Sequence, residues 1–152
     1  MQYTEKQQQA FGTRDRTLLV SAAAGSGKTK ELIDQVNAAV KEEKGSVVCI
    51  SRGDKLTFDI SHDARLIDAK EYPIKGYEGL LGFVGGIHAG NYDITHVFVD
   101  NFTKMLTEVS EQQIAEFLAW LNDFSEREHI QFTLSLSMDP ATTGSEITKY
   151  MI

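Results

Sequence analysis

The chain has 152 residues, 41% of them hydrophobic and 24% charged, which fits one globular domain with a packed core and excludes a disulfide-dependent mini-protein, a disordered tail and a multidomain motor. Fifteen Lys plus Arg against 22 Asp plus Glu leave a net charge of −7, a field that repels nucleic acid and anionic membrane, so a DNA contact would need a local basic patch or a partner. The single cysteine, Cys49, lies in the apolar run Ser46-Val-Val-Cys-Ile50, where an inert buried thiol is expected and no intrachain disulfide can form.

The first residues, Met1-Gln-Tyr-Thr-Glu-Lys, are polar, and no later stretch has about 18 uninterrupted apolar residues, so a cytoplasmic protein with no membrane association is expected. No Ser/Gly linker or long like-charge run divides residues 1–152, which predicts one domain. Thr17-Leu-Leu-Val-Ser21 reads as a buried strand running into a loop of small residues. From Thr29, Leu32, Ile33, Val36 and Val40 recur at helical spacing until the charged stretch Lys41-Glu-Glu-Lys-Gly45. A second strand spans Ser46–Ser51.

The stretch from Gly76 to Gly90 holds half of the twelve glycines, interleaved with Leu80, Leu81, Phe83, Val84 and Ile87. As a helix it would align Gly82, Gly86 and Gly90 on one face for tight packing against another backbone; otherwise it would form an apolar loop. A third strand reads Thr95-His-Val-Phe-Val-Asp100. A helix over 111–128 follows from Ile114, Phe117, Leu118, Leu121 and Phe124, with Trp120 expected to pack beside them, and Ile130–Ser137 reads as a fourth strand. Alternating strands and helices predict an α/β fold with a mainly parallel sheet covered on both faces, a three-layer sandwich.

Between the first strand and the first helix stands Ala22-Ala-Ala-Gly-Ser-Gly-Lys-Thr29, the pattern of a phosphate-binding loop with Ala in place of its first Gly. Small residues at Ala24, Gly25, Ser26 and Gly27 let successive N–H groups converge on phosphates, and the helix N-terminus adds its positive dipole end. Lys28 is expected to reach the β- and γ-phosphates and the Thr29 hydroxyl to ligate Mg²⁺. Asp100, at the end of the run Val97-Phe-Val-Asp100, is the expected second metal ligand. Asn101 follows where a hydrolysing site needs a general base: an amide can hold a water but cannot take its proton. No Asn-Lys-x-Asp guanine-reading string occurs, the arginines are scattered rather than gathered in a lid, and His62, His88, His96 and His129 show no zinc-ligand spacing with Cys49.

These residues resemble the first ATP-binding core, RecA-like in fold, of superfamily 1 helicases of the UvrD, Rep and AddA type. Thr4-Glu-Lys-Gln7-Gln-Gln-Ala10-Phe11 is similar to their Q motif, the segment ending at Thr29 to motif I, and Val47-Val-Cys-Ile-Ser-Arg-Gly-Asp-Lys55 to motif Ia, with Ser51 and Lys55 at its polar positions. Departures follow: Arg52 replaces an aromatic, Asp100-Asn101-Phe102-Thr103 stands for Asp-Glu-x-Gln, and Met138-Asp139-Pro-Ala-Thr142 is a faint counterpart of motif III. The resemblance implies ATP and Mg²⁺ as cofactors, Gln7 as the reader of the adenine edge, and nucleic acid as a partner class that the net charge does not favour. The second RecA-like domain of that family, which supplies transition-state arginines, finds no room here, so unwinding by this chain alone is not expected. Two readings stay open: a weak ATPase, with Lys28, Asp100 and Asn101 at its centre and a protein partner or second copy as activator, and a non-hydrolysing nucleotide-binding module that docks to a partner.

Overall fold

The computed structural model describes residues 18–22, 28–106, 110–139 and 141–151, with the backbone alone for Ala22, Lys28 and Thr29. Five strands, β1 (Leu18–Ala22), β2 (Ser46–Ser51), β3 (Ala64–Asp68), β4 (Ile94–Val99) and β5 (Gln131–Leu136), form one sheet in the order β1-β5-β4-β2-β3. All neighbouring strands pair in parallel. The helices are α1 (Lys28–Glu42), α2 (Gly76–Gly90), α3 (Glu111–Glu128) and the short α4 (Ser145–Thr148). No described helix is long and apolar enough to cross a membrane.

Parallel strands need crossover connections, and these place apolar side chains on both faces of the sheet. On one face Leu32, Val36 and Ala39 of α1 pack against Val47, Cys49 and Phe98, closed off by Leu56, Ile60 and Ala64. On the other, Leu80 and Val84 of α2 and Ile114, Phe117, Leu118, Leu121 and Phe124 of α3 cover Val48, Ile50, Val97, Val99, Phe132 and Leu134. The chain moves from β1 three positions across to β2, continues to β3, and then returns to lay β4 and β5 in the gap. Where the direction of winding reverses, the carboxyl ends of neighbouring strands frame a crevice, the usual ligand position in open parallel sheets. After α4 the chain lies beside the outer edge of β1, where Val20 N donates to Tyr150 O at 3.0 Å.

The first helix, the second strand and the helix over 111–128 form as their periodicity predicts; the strand expected at Thr95–Asp100 lies one residue earlier, and the one expected at Ile130–Ser137 is one residue shorter at each end. Ser110 and Gln113 close a reciprocal capping box at the start of α3, and His129 ends it in the left-handed region at φ 55°. β3 has no counterpart among the predicted strands. Among the described residues it pairs with β2 alone, and it is only partly buried, so Arg65 and Asp68 interrupt the apolar run that marks the inner strands. The Gly76–Gly90 stretch is helical, but a Cβ at Gly82, Gly85, Gly86 or Gly90 would meet no described atom within 4 Å. The tight backbone contact expected of that glycine face is therefore absent among the described residues. α2 is instead anchored by Leu80 and Val84, and Gly86 and Gly90 border a groove of about 450 Å³ along Val48, Arg65 and Ile67.

Among the described glycines, Gly45 is the one at which a Cβ would clash with backbone. A Cβ there would collide with Asp93 O and Thr95 Cγ2, and Asp93 O is the acceptor that starts the β2–β4 pairing through Ser46 N at 2.8 Å. Gly45→Ala must push that backbone apart and is expected to lower unfolding free energy by about 1–3 kcal/mol. Urea unfolding monitored by circular dichroism checks this, and an unchanged midpoint contradicts it.

His96 is buried in β4, its ring stacked on Phe98 at 4.0 Å, with Nε2 2.8 Å from Thr133 Oγ1 and Nδ1 3.4 Å from Glu43 Oε1. Burial holds the imidazole below its ordinary pKa although Glu43 pulls the other way, and His96 in turn holds Glu43 below the usual carboxylate range. The unfolded chain, with an ordinary His pKa of about 6.5, therefore takes up this proton before the folded one does. Stability is fully present above that pH and falls as pH drops below it. Urea midpoints at pH 7.5 and about 5.5 should differ more for the parent than for His96→Gln; equal differences would show that the buried ring does not carry the effect. Cys49 is inert for a related reason: burial, together with Asp100, pushes its thiol up to about 12.

Candidate nucleotide-binding site

A polar row crosses the carboxyl edge of the sheet. Ser21 of β1 is in register with Ser135 of β5, Ser135 Oγ lies 3.2 Å from Asp100 Oδ1 just past β4, and Asp100 N donates to Ile50 O at 2.8 Å. Ser51 of β2 is in register with Asp68 of β3. Strand alternation puts this row on the same face as Phe98, Cys49 and Leu66, the face covered by α1. α1 begins at Lys28, six residues past the end of β1, so its N-terminus opens onto the end of the sheet where the row lies. Only β5 separates β1 from β4, which sets the two strand axes about 10 Å apart.

Lys28 and Thr29 are the first two residues of α1. Gln7, Ala24, Gly25, Ser26 and Gly27 lie outside the described residues. Asp100 and Asn101 stand at the end of β4, in the turn before the 3₁₀ segment Phe102–Met105. That turn is anchored by Phe102 and Met105, both buried, with the Phe102 ring against Phe117 at 5.4 Å. Asp100 is partly buried, and desolvation raises its carboxyl above the ordinary range; the Ser135 hydroxyl and the nearby charge of Lys104 act against that shift. A carboxylate so placed gains from a cation, which is the chemistry expected of a metal-side ligand.

Asn101 adopts the left-handed conformation, φ 48° and ψ 59°, which Asn tolerates better than Glu or other longer side chains. Its N–H donates to Ser135 Oγ at 2.7 Å. Its Oδ1 accepts from Thr103 Oγ1 at 3.1 Å and from Ser137 Oγ at 3.3 Å, and Ser137 N donates to Thr103 Oγ1 at 3.4 Å. These bonds lace the end of β4 to the end of β5. Asp139 is engaged in the following turn, its Oδ1 accepting from Ala141 N at 2.9 Å and its carbonyl from Thr143 Oγ1 at 2.6 Å.

On the far side of Asp100, Ser51 is buried and its hydroxyl donates to Gly53 O at 3.3 Å, whereas Lys55 is exposed. Gly53, at φ 108°, turns its N–H onto Asp68 Oδ1 at 2.7 Å, and Lys70 N donates to the same oxygen at 2.9 Å; these two N–H groups hold the Asp68 carboxyl below its ordinary range. Sequence reasoning missed Ser135, Ser137 and Asp68, and met Thr103 only as part of the string standing for Asp-Glu-x-Gln. The alternation Thr133, Ser135 along β5 and Ser137 just past it, with Leu134 and Leu136 between them fully buried, is the signal that could have found the serines.

Comparison with known proteins bears on the first β-α-β unit. Residues 3–51 match the family model of the UvrD/REP helicase N-terminal domain. Over this first third, the chain resembles a UvrD-type superfamily 1 helicase core. One component of the ATP-dependent helicase/nuclease of a Thermoanaerobacter species, and its counterpart in Thermoanaerobacter pseudethanolicus, are each 47% identical to it over 45 residues, and the counterpart in Clostridium acetobutylicum is 44% identical over the same length. The aligned stretch is 30% of this chain and 4% of each of those proteins. The UvrD-like match ends at Ser51, so Asp100, Asn101 and the β5 serines lie beyond it.

Proposed function

We propose that the protein binds Mg·ATP at the carboxyl edge of its sheet, as a helicase-core-like nucleotide-binding module with slow hydrolysis. In this reading the N–H groups of Ala24, Gly25, Ser26 and Gly27 and the Lys28 ammonium hold the phosphates, Gln7 reads adenine, and Thr29 and Asp100 hold the metal. Mg²⁺, when bound, supplies neutralising charge to the phosphate oxygens. The observation that carries the reading is the position of Asp100: a partly buried carboxylate one strand removed from β1, at the sheet end where the Gly-Ser-Gly-Lys-Thr connection enters α1.

Slow rather than fast hydrolysis is favoured by Asn101, an amide whose Oδ1 already accepts two hydroxyl protons and which has no carboxylate to take a proton from water. A module of this kind acts by presenting its nucleotide state to a partner protein or a second copy, in the cytoplasm. Calorimetric titration with Mg·ATP, Mg·GTP and a non-hydrolysable ATP analogue, followed by phosphate release from the same samples, tests the reading. ATP is expected to bind about 5-fold more tightly than GTP, the worth of one net hydrogen bond at the base edge, with little phosphate released. Absence of nucleotide binding overturns the reading; rapid release at saturating Mg·ATP overturns the module and leaves the ATPase.

A further inference from the structure

We infer that Ser135 is the positioning residue of the metal-side carboxylate, because its oxygen accepts from the Asn101 N–H while its hydroxyl donates to Asp100 Oδ1. The inference rests on the proposed role of Asp100 and goes beyond it to a residue outside the UvrD-like match.

The direction of the relay follows from chemistry. A backbone N–H can only donate, so at 2.7 Å from Asn101 N the serine oxygen is the acceptor. An ionised carboxylate can only accept, so at 3.2 Å from Asp100 Oδ1 the serine is the donor. Ser135 is 4% exposed, a depth at which an unpartnered hydroxyl is unfavourable, and both of its hydrogen-bonding functions are used. Oδ1 is thereby tied to β5, which confines the carboxylate to a narrow set of orientations and leaves Oδ2 as the oxygen not engaged by the serine.

The surrounding turn supports the same task. The left-handed backbone of Asn101 turns its N–H back toward β5, and the Asn101, Thr103 and Ser137 bonds hold the two strand ends together two residues farther along. On the opposite flank Ser51 does not share the role, since its hydroxyl goes to Gly53 O. An apolar side chain at position 135 would leave a buried N–H without its acceptor and a partly buried carboxylate without its donor, whereas threonine would retain both bonds.

A purely structural serine predicts lost stability alone; a positioning serine predicts lost metal dependence. The full chain is titrated with ATP in excess Mg²⁺ and in EDTA, and with Mn²⁺ alone followed by water-proton relaxation, for the parent, Ser135→Ala, Ser135→Thr, Ser135→Cys and Asp100→Asn. The Mg²⁺-dependent gain in ATP affinity and the Mn²⁺ affinity are expected to fall about 10- to 100-fold in Ser135→Ala, as for loss of an outer partner that orients a metal ligand. ATP affinity in EDTA should hold, and Ser135→Thr should restore most of the loss. If Ser135→Ala fails to fold, Ser135→Cys, of similar size but with a weak S–H donor, should show the same loss in smaller measure. A folded Ala or Cys variant that keeps the full Mg²⁺ gain, while Asp100→Asn loses it, overturns the inference and spares the proposed site. A parent whose ATP affinity is the same in Mg²⁺ and EDTA overturns the metal role of Asp100 and the inference with it.

Discussion

Lys28→Ala is expected to weaken nucleotide binding by roughly 100-fold or more, about 3 kcal/mol, while leaving the thermal midpoint unchanged or slightly raised. Removing the ammonium takes away charge-assisted hydrogen bonds to the phosphates, each worth about 1.5–3 kcal/mol. Lys28 is the first residue of α1, where a cation opposes the positive end of the helix dipole and alanine is the best helix former. Folding therefore loses nothing by the change, whereas binding at the proposed site loses a cation. Calorimetry with Mg·ATP and a melt monitored at 222 nm on the same preparation separate the two effects. A folded variant with unchanged ATP affinity would show that the phosphates do not sit on the connection between β1 and α1.

Phe102→Ala is expected to have the larger effect on stability, about 3–5 kcal/mol, the range for a fully buried phenylalanine replaced by alanine. Phe102 is 0% exposed and its ring faces Phe117 of α3, so the cavity would open between the β4 turn and the helix that covers it. It also stands two residues after Asp100. Without its anchor the turn that holds Asn101 in the left-handed region can relax, and the Mg²⁺-dependent part of nucleotide affinity should fall along with stability. Phe102→Leu, which fills most of the volume, should recover the greater part of both. Urea denaturation with paired calorimetry measures them together; a Phe102→Ala loss below about 1 kcal/mol would mean that the turn is held by its hydrogen bonds rather than by this ring.

These two residues divide the site in an instructive way. Lys28 belongs to a local string whose meaning follows from chain neighbours: a strand, small residues, Gly-Lys-Thr and a helix of marked amphipathicity. Phe102 and Ser135 acquire their roles only from residues more than ten positions away. The resemblance to UvrD-type helicases follows the same division, ending at Ser51 before the carboxylate, the amide and the serines that complete the candidate site.

By itself the sequence determined the elements whose apolar spacing is regular: α1, from Leu32, Ile33, Val36 and Val40; β2, whose continuous run is buried on both sides; and α3, from Ile114, Phe117, Leu118, Leu121 and Phe124. It determined the phosphate-loop string and singled out Asp100 and Asn101. Periodicity carries that information because helix and strand geometry relate residues two to four positions apart. Only the tertiary structure decided that β5 lies between β1 and β4, that β3 extends the sheet from a half-polar segment, that the glycine-rich stretch is a helix with an open glycine face, and that Gly45 must be glycine. It also decided that Asn101 answers to Thr103, Ser135 and Ser137 rather than standing free. Strand order is set by which crossovers bury the most apolar surface with every backbone group paired, a competition among residues far apart in the chain, and no local pattern records its outcome.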